Sequence, residues 1–152
     1  MSDGGDDLRD LYQEVVLEHS RRPRNHREMA DATSSAQGFN PLCGDQLTLY
    51  LKVEGGVVKE VSFVGQGCAI SRASASLLTT AVKDRTKEEA LRLFEKVHLL
   101  VTEGPTRVSP DEVGKLAVLS GVSEFPARVK CASLAWHTLK AALEGQQTIS
   151  TE

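Results

Sequence analysis

Gln46-Leu47-Thr48-Leu49-Tyr50-Leu51-Lys52-Val53, then Glu54-Gly55-Gly56, then Val57-Val58-Lys59-Glu60-Val61-Ser62-Phe63-Val64 is the stretch that decides the fold. In its first run Leu47, Leu49, Leu51 and Val53 fall on one face and Gln46, Thr48, Tyr50 and Lys52 on the other, the period of a half-buried strand. The two glycines supply a turn that tolerates positive φ, and the second run returns as a partner strand, so the stretch reads as a hairpin. Gly65-Gln66-Gly67 ends it. Cys68 then opens a run of small residues, Ala69 to Ala75, which continues as a helix through Leu77, Leu78 and Val82.

On the N-terminal side, Leu8, Leu11, Tyr12, Val15 and Val16 recur with helical period behind Asp6 and Asp7, either of which can cap the start, and Pro23 marks the end. The basic run Arg21 to Arg27 follows as a solvated loop, a candidate for docking an acidic partner. Residues 30 to 40 are the place for a third strand, but their periodicity is too poor to assign it. On the C-terminal side, Thr86 with Glu89 and Ser109 with Glu112, the latter with Pro110 at the first helical position, have capping-box spacing, so two more helices are expected. A last helix after Phe125-Pro126 carries Val129, Ala132, Trp136, Leu139 and Leu143 on one stripe and ends at Gly145. Helix, strands and then a run of helices predict an α+β fold, a small antiparallel β-sheet packed by helices. The expected organisation is one domain over residues 8–144, with a disordered N-terminus at 1–7 and a polar tail at 145–152.

The chain has 152 residues, 18 Lys+Arg against 21 Asp+Glu, 40% hydrophobic and 26% charged residues, enough for a core without staples. A net charge of −3 argues against nucleic acid as the main partner. No apolar run approaches the roughly 18 residues a spanning helix needs, and the acidic start is unlike a secretory signal, so no membrane partner is expected and the expected compartment is the cytoplasm. There, thiols stay reduced, which turns Cys43, Cys68 and Cys131 toward metal or nucleophile chemistry.

Cys43 stands in Asn40-Pro41-Leu42-Cys43-Gly44-Asp45, where side chains two apart in an extended loop point the same way, so Cys43 and Asp45 can aim at one point. Cys68 stands at a helix start, where N–H groups favour a thiolate. Cys131 lies a turn into the last helix, three residues after Arg128, whose guanidinium can steady a negative sulfur. Cys43 and Cys68 flank the same open end of the hairpin; Cys131 must arrive by tertiary packing. Three thiolates and a carboxylate suit a tetrahedral Zn²⁺ or an iron–sulfur centre, and the paired C-x₂-C spacing of structural zinc is missing. The competing reading is that the thiols are small core hydrophobes, against which stand their Gly, Asp, Arg and Lys neighbours. His19, His26, His98 and His137 read as surface or satisfied groups, and Trp136 as core.

Taken in order, Asn40-Pro41-Leu42-Cys43-Gly44-Asp45, Gly65-Gln66-Gly67-Cys68-Ala69-Ile70-Ser71 and Arg128-Val129-Lys130-Cys131-Ala132 resemble the IscU/NifU N-terminal family of iron–sulfur cluster assembly proteins over roughly residues 8–144. Lys130, where scaffold-type IscU proteins carry a His, and the long interval from Cys68 to Cys131 favour the SufU branch. The resemblance implies an IscU/SufU-like α+β fold, with Cys43, Asp45, Cys68 and Cys131 as ligands of a Zn²⁺ ion. It implies Cys43 as sulfur acceptor and Arg128 as a charge beside the ligands or facing a partner. Its implied partners are a SufS-type, pyridoxal phosphate-dependent cysteine desulfurase and downstream cluster-assembly proteins. The implied activity is sulfurtransferase-like: the partner's ligand displaces Cys43 from zinc and frees it to attack a persulfide. The alternative is a scaffold that builds a [2Fe–2S] cluster on the same residues, and a third reading is a zinc-stabilised adaptor whose thiols never carry sulfur.

Overall fold

The computed structural model describes residues 4–41, 43–104, 106–145 and 148–150. Helix α1 (Gly4–Arg21) leads into strands β1 (Ser34–Asn40), β2 (Asp45–Glu54) and β3 (Val57–Gln66). Helices α2 (Ala69–Ala81), α3 (Lys87–Glu103) and α4 (Pro110–Val113) follow, then a 3₁₀ segment (Gly114–Glu124), helix α5 (Pro126–Leu143) and strand β4 (Thr148–Ser150). The sheet order is β3-β2-β1-β4, antiparallel across the first three strands and parallel between β1 and β4. None of the described helices is long and apolar enough to cross a membrane.

The hairpin forms as the alternation requires. Leu47, Leu49 and Leu51 are buried against the helices, while Gln46 is exposed and Thr48, Tyr50 and Lys52 are half-buried on the opposite face. Gly55 and Gly56 take positive φ in the turn. β3 runs on through Gln66, two residues past the expected break.

The third strand that periodicity could not assign lies within residues 30–40, as β1. The inward positions of β1 are Ala36, Gly38 and Asn40, none of them large and apolar. They are small because α5 lies directly on them: a Cβ at Gly38 would collide with Thr138 Oγ1 and stand 3.1 Å from Leu134 Cδ1. Close helix–sheet packing here replaces the hydrophobic alternation by which strands are recognised.

α5 is the axis of the molecule, packed against β1, β2, α2, α3 and the 3₁₀ segment. It is therefore buried almost all round, with Leu134, Ala135, Trp136 and Leu139 at or below 1% exposure. Thr86 and Glu89 close the expected capping box, Glu89 N–H to Thr86 Oγ1 at 3.1 Å and Thr86 N–H to Glu89 Oε1 at 2.9 Å, a motif whose cap contributes about 1 kcal/mol.

Three expectations need correction. Gly4 to Asp7, assigned to a disordered N-terminus, form the first turn of α1, and residues 1–3 lie outside those described. The helix expected after Ser109 is a single turn, because Gly114 takes positive φ and the chain continues as 3₁₀; Ser109 still receives the Asp111 N–H at 3.2 Å. The third concerns the polar tail, for which no strand was expected: 148–150 pair with Gln37, Gly38 and Phe39 of β1, while 146–147 and 151–152 lie outside the described residues.

Candidate metal centre

β1 and β2 close on the pair Asn40 and Asp45, and the turn between them carries Cys43. The turn is held by Cys43 N–H donating to the Asn40 carbonyl at 3.2 Å, with Gly44 at φ 68°. At the same end of the hairpin, Cys68 is the N-cap of α2, its Sγ accepting from Ser71 N–H at 3.4 Å. Cys131 comes in on α5. The two helices are tied by Ser74 Oγ of α2, which donates to the Ala132 carbonyl of α5 at 2.6 Å in the buried interface.

Cys43 Sγ, Cys131 Sγ and an Asp45 carboxylate oxygen lie within 4.8 Å of one another. The Cys131 thiol donates to Cys43 Sγ at 3.3 Å. Cys68, the fourth expected member, stands outside that radius, yet its thiol still acts on Cys131 and its backbone N–H donates to Asp45 Oδ1 at 2.9 Å. Exposure is graded across the set: Cys43 exposed, Cys68 half-buried, Cys131 and Asp45 buried at 3% and 2%.

Burial pushes the Cys131 thiol far above its ordinary value, and its contacts with Cys43 and Cys68 and the Asp45 charge act in the same direction. A cation is the partner this donor set calls for, since a bound metal deprotonates a coordinating thiol outright. Cys43, Asp45 and Cys131 form a group that could hold a metal ion, and with the Cys68 sulfur beside it the donor types fit a zinc ion or an iron–sulfur centre.

Asp45 is seated by Gly67. A Cβ at Gly67 would collide with Asp45 Oδ1 and lie 3.0 Å from its Cγ. Gly67→Ala is therefore expected to displace the carboxylate, costing about 1–3 kcal/mol in overpacking and about 10- to 100-fold in metal affinity. Chelator competition beside thermal unfolding of the metal-free protein checks both.

Of the two places expected for Arg128, beside the ligands or facing a partner, its position fits the second. It is exposed, and its guanidinium lies 4.5 Å over the Phe125 ring, itself 46% exposed, a surface cation–π pair. The histidines stay away from the thiols. His19 is buried and bonded through Nδ1 to Ser76 Oγ at 2.7 Å, His26 stacks on Phe63, and His98 and His137 pack with Phe94.

Asn40 is the residue that motif reading passed over. It is fully buried, and its Nδ2 donates to Asp45 Oδ2 at 3.2 Å and to Cys131 Sγ at 3.6 Å. Its position directly before the Pro41 turn was visible in the sequence; its approach to Cys131, 91 residues away, was not.

The family described as NifU-like N-terminal domain matches residues 11–132. Among curated relatives, the iron–sulfur cluster assembly scaffold protein IscU of Streptococcus pyogenes is 40% identical over 137 residues, covering 90% of this chain and 85% of that one. The zinc-dependent sulfurtransferase SufU of Bacillus subtilis is 36% identical over 137 residues, covering 90% and 92%. A crystal structure titled as the putative iron–sulfur cluster assembly scaffold protein for the SUF system of Fervidobacterium islandicum superposes with a TM-score of 0.81 at 32% identity, over 86% of this chain and 94% of that one.

Proposed function

Because the chain belongs to the family of NifU-like N-terminal domains, we propose that it serves iron–sulfur cluster assembly as a zinc-binding sulfur acceptor, with Cys43, Asp45, Cys68 and Cys131 as ligands and Cys43 as the acceptor. The observation that carries this reading is the gradient of exposure across the three thiols: Cys43 alone is exposed, so it is the sulfur a partner protein can reach, while Cys131 and Asp45 are buried behind it. Lys130 supports the acceptor over the scaffold, since it occupies the position of a potential imidazole ligand beside Cys131 with a side chain that is not one at neutral pH.

Zinc, when bound, supplies stable thiolates without redox chemistry of its own. The chain's residues do the rest. The Cys43 thiolate attacks the terminal sulfur of a persulfide on the donor enzyme; a new S–S bond forms at Cys43, the donor's S–S bond breaks, and its cysteine leaves as a thiolate. The donor is a SufS-type, pyridoxal phosphate-dependent cysteine desulfurase, the sulfur goes on to downstream cluster-assembly proteins, and the work is done in the cytoplasm. Arg128 on its exposed stack is available to a partner rather than to the ligands. The protein acts as acceptor and activator of the desulfurase rather than turning over alone.

The scaffold reading uses the same residues and is favoured by the name of the Streptococcus relative. Metal and acid-labile sulfide content of protein purified without air or chelator separates the two. Zinc near one per chain with no sulfide is the expected result. Iron with matching sulfide would establish the scaffold instead, with the cluster as cargo.

A further inference from the structure

Asn40, though not itself among the expected ligands, touches three of them. Its backbone carbonyl holds the Cys43 N–H, its side-chain amide holds Asp45 Oδ2 and Cys131 Sγ, and its neighbour across the ladder is Asp45 itself. An amide nitrogen has two hydrogens, and here each has an acceptor, one a carboxylate oxygen and one a sulfur. The amide oxygen, by contrast, is buried with no hydrogen-bond partner among the described residues.

That asymmetry is informative. A buried polar atom left without a partner costs free energy, so an Asn placed only to fill space would turn to satisfy its oxygen or be replaced by an apolar residue of the same size. Turning the amide would set its oxygen against the Asp45 carboxylate. The orientation is therefore fixed by the two acceptors, a carboxylate oxygen and a sulfur. Asp45 is held from two sides, Oδ1 by the Cys68 N–H at 2.9 Å and Oδ2 by Asn40, so the plane and direction of its carboxylate are fixed while each oxygen keeps a lone-pair site for an ion. Partners of this kind orient metal ligands and tune them.

We propose that Asn40 is a positioning residue for the metal ligands: through one amide it fixes the Asp45 carboxylate and the Cys131 sulfur together, and so sets how tightly and in what geometry the site holds its ion. This rests on the zinc reading above.

The test is cobalt(II) binding to the full chain, followed by its sulfur-to-metal charge-transfer and d–d bands and by competition with a chromophoric chelator. Wild type is compared with Asn40→Ala, which empties the position, and Asn40→Leu, which fills it without a donor. Both variants are expected to lose about 10- to 100-fold in affinity with altered d–d bands, and the loss from Asn40→Ala is expected to shrink in an Asp45→Ala background, where one of its two acceptors is gone. A role in packing alone would lower the melting temperature of metal-free Asn40→Ala while leaving Asn40→Leu with wild-type affinity and an unchanged spectrum; that result overturns the proposal. Wild-type protein that binds no cobalt would overturn the metal reading itself, and this inference with it.

Discussion

Cys43→Ala is expected to abolish sulfur acceptance while leaving the fold intact. Incubated with cysteine and a SufS-type desulfurase, wild-type protein should gain one sulfur by mass, and the variant should gain none above background. Removing a nucleophile outright costs on the order of 10³-fold or more in rate, far beyond what a weakened ligand set would explain. The fold survives because Cys43 is exposed in a turn held by backbone, Cys43 N–H to the Asn40 carbonyl, which alanine preserves. Exposed substitutions of this kind usually fall within about ±0.5 kcal/mol, so metal-free wild type and variant should melt together. The outcome also separates the acceptor from the zinc-stabilised adaptor. An adaptor would still stimulate the desulfurase without Cys43, and stimulation that persists in the variant would sink the relay.

Cys131→Ala is expected to make thermal stability indifferent to chelator. A ligand that binds only the folded state adds RT ln(1 + [L]/Kd), about 4 kcal/mol when free metal is a thousandfold above Kd. For a domain of this size, each kcal/mol moves the melting temperature by roughly 2–4 °C, so chelation should lower that of the wild type by about 8–16 °C. Cys131 is 3% exposed, anchored in the most buried helix, and bonded to both Cys43 and Asn40, so its loss removes the ligand that ties α5 to the hairpin. The variant should melt near chelated wild type, lower by about 1 kcal/mol for the small cavity and the unpaired Asn40 donor, and chelator should not move it further. Equal melting of wild type with and without chelator would count against a ligated site.

What the sequence made legible follows from where the physics is local. Leu47, Leu49 and Leu51 announce β2 because a half-buried strand must alternate, and Thr86 with Glu89 announces α3 because a capping box is satisfied within four residues. Cys43 and Asp45 were paired by their spacing of two, and Cys68 was placed at a helix start by the glycines before it; the structure puts each there. β1 was hidden because its inward face is Ala36, Gly38 and Asn40, residues chosen by the nearness of Thr138 and Leu134 on α5 rather than by any pattern along the strand. β4 was hidden for a similar reason: three polar-flanked residues take their conformation from β1, not from their own sequence. Arg128 was left open between the ligands and a partner because spacing of three on a helix places two residues near one face but says nothing of Phe125, over whose ring the guanidinium lies. Asn40 was quoted as part of a turn and not as a donor, since its second acceptor is contributed by a helix far along the chain.

That distance along the chain bears on timing. Cys43 and Cys131 meet across 88 residues and Asn40 and Cys131 across 91, while Cys43, Asp45 and Cys68 are near neighbours in the hairpin and its exit. During synthesis from the N-terminus, the hairpin can pair while α5 is still unmade, so the early chain offers at most an incomplete set of donors that captures an ion weakly. The full set closes only when the last helix docks, the slowest kind of contact to form because its loop is the longest. On the proposed reading, ion capture is thereby postponed to the final folding event, and firm metal binding would mark a chain whose folding has finished.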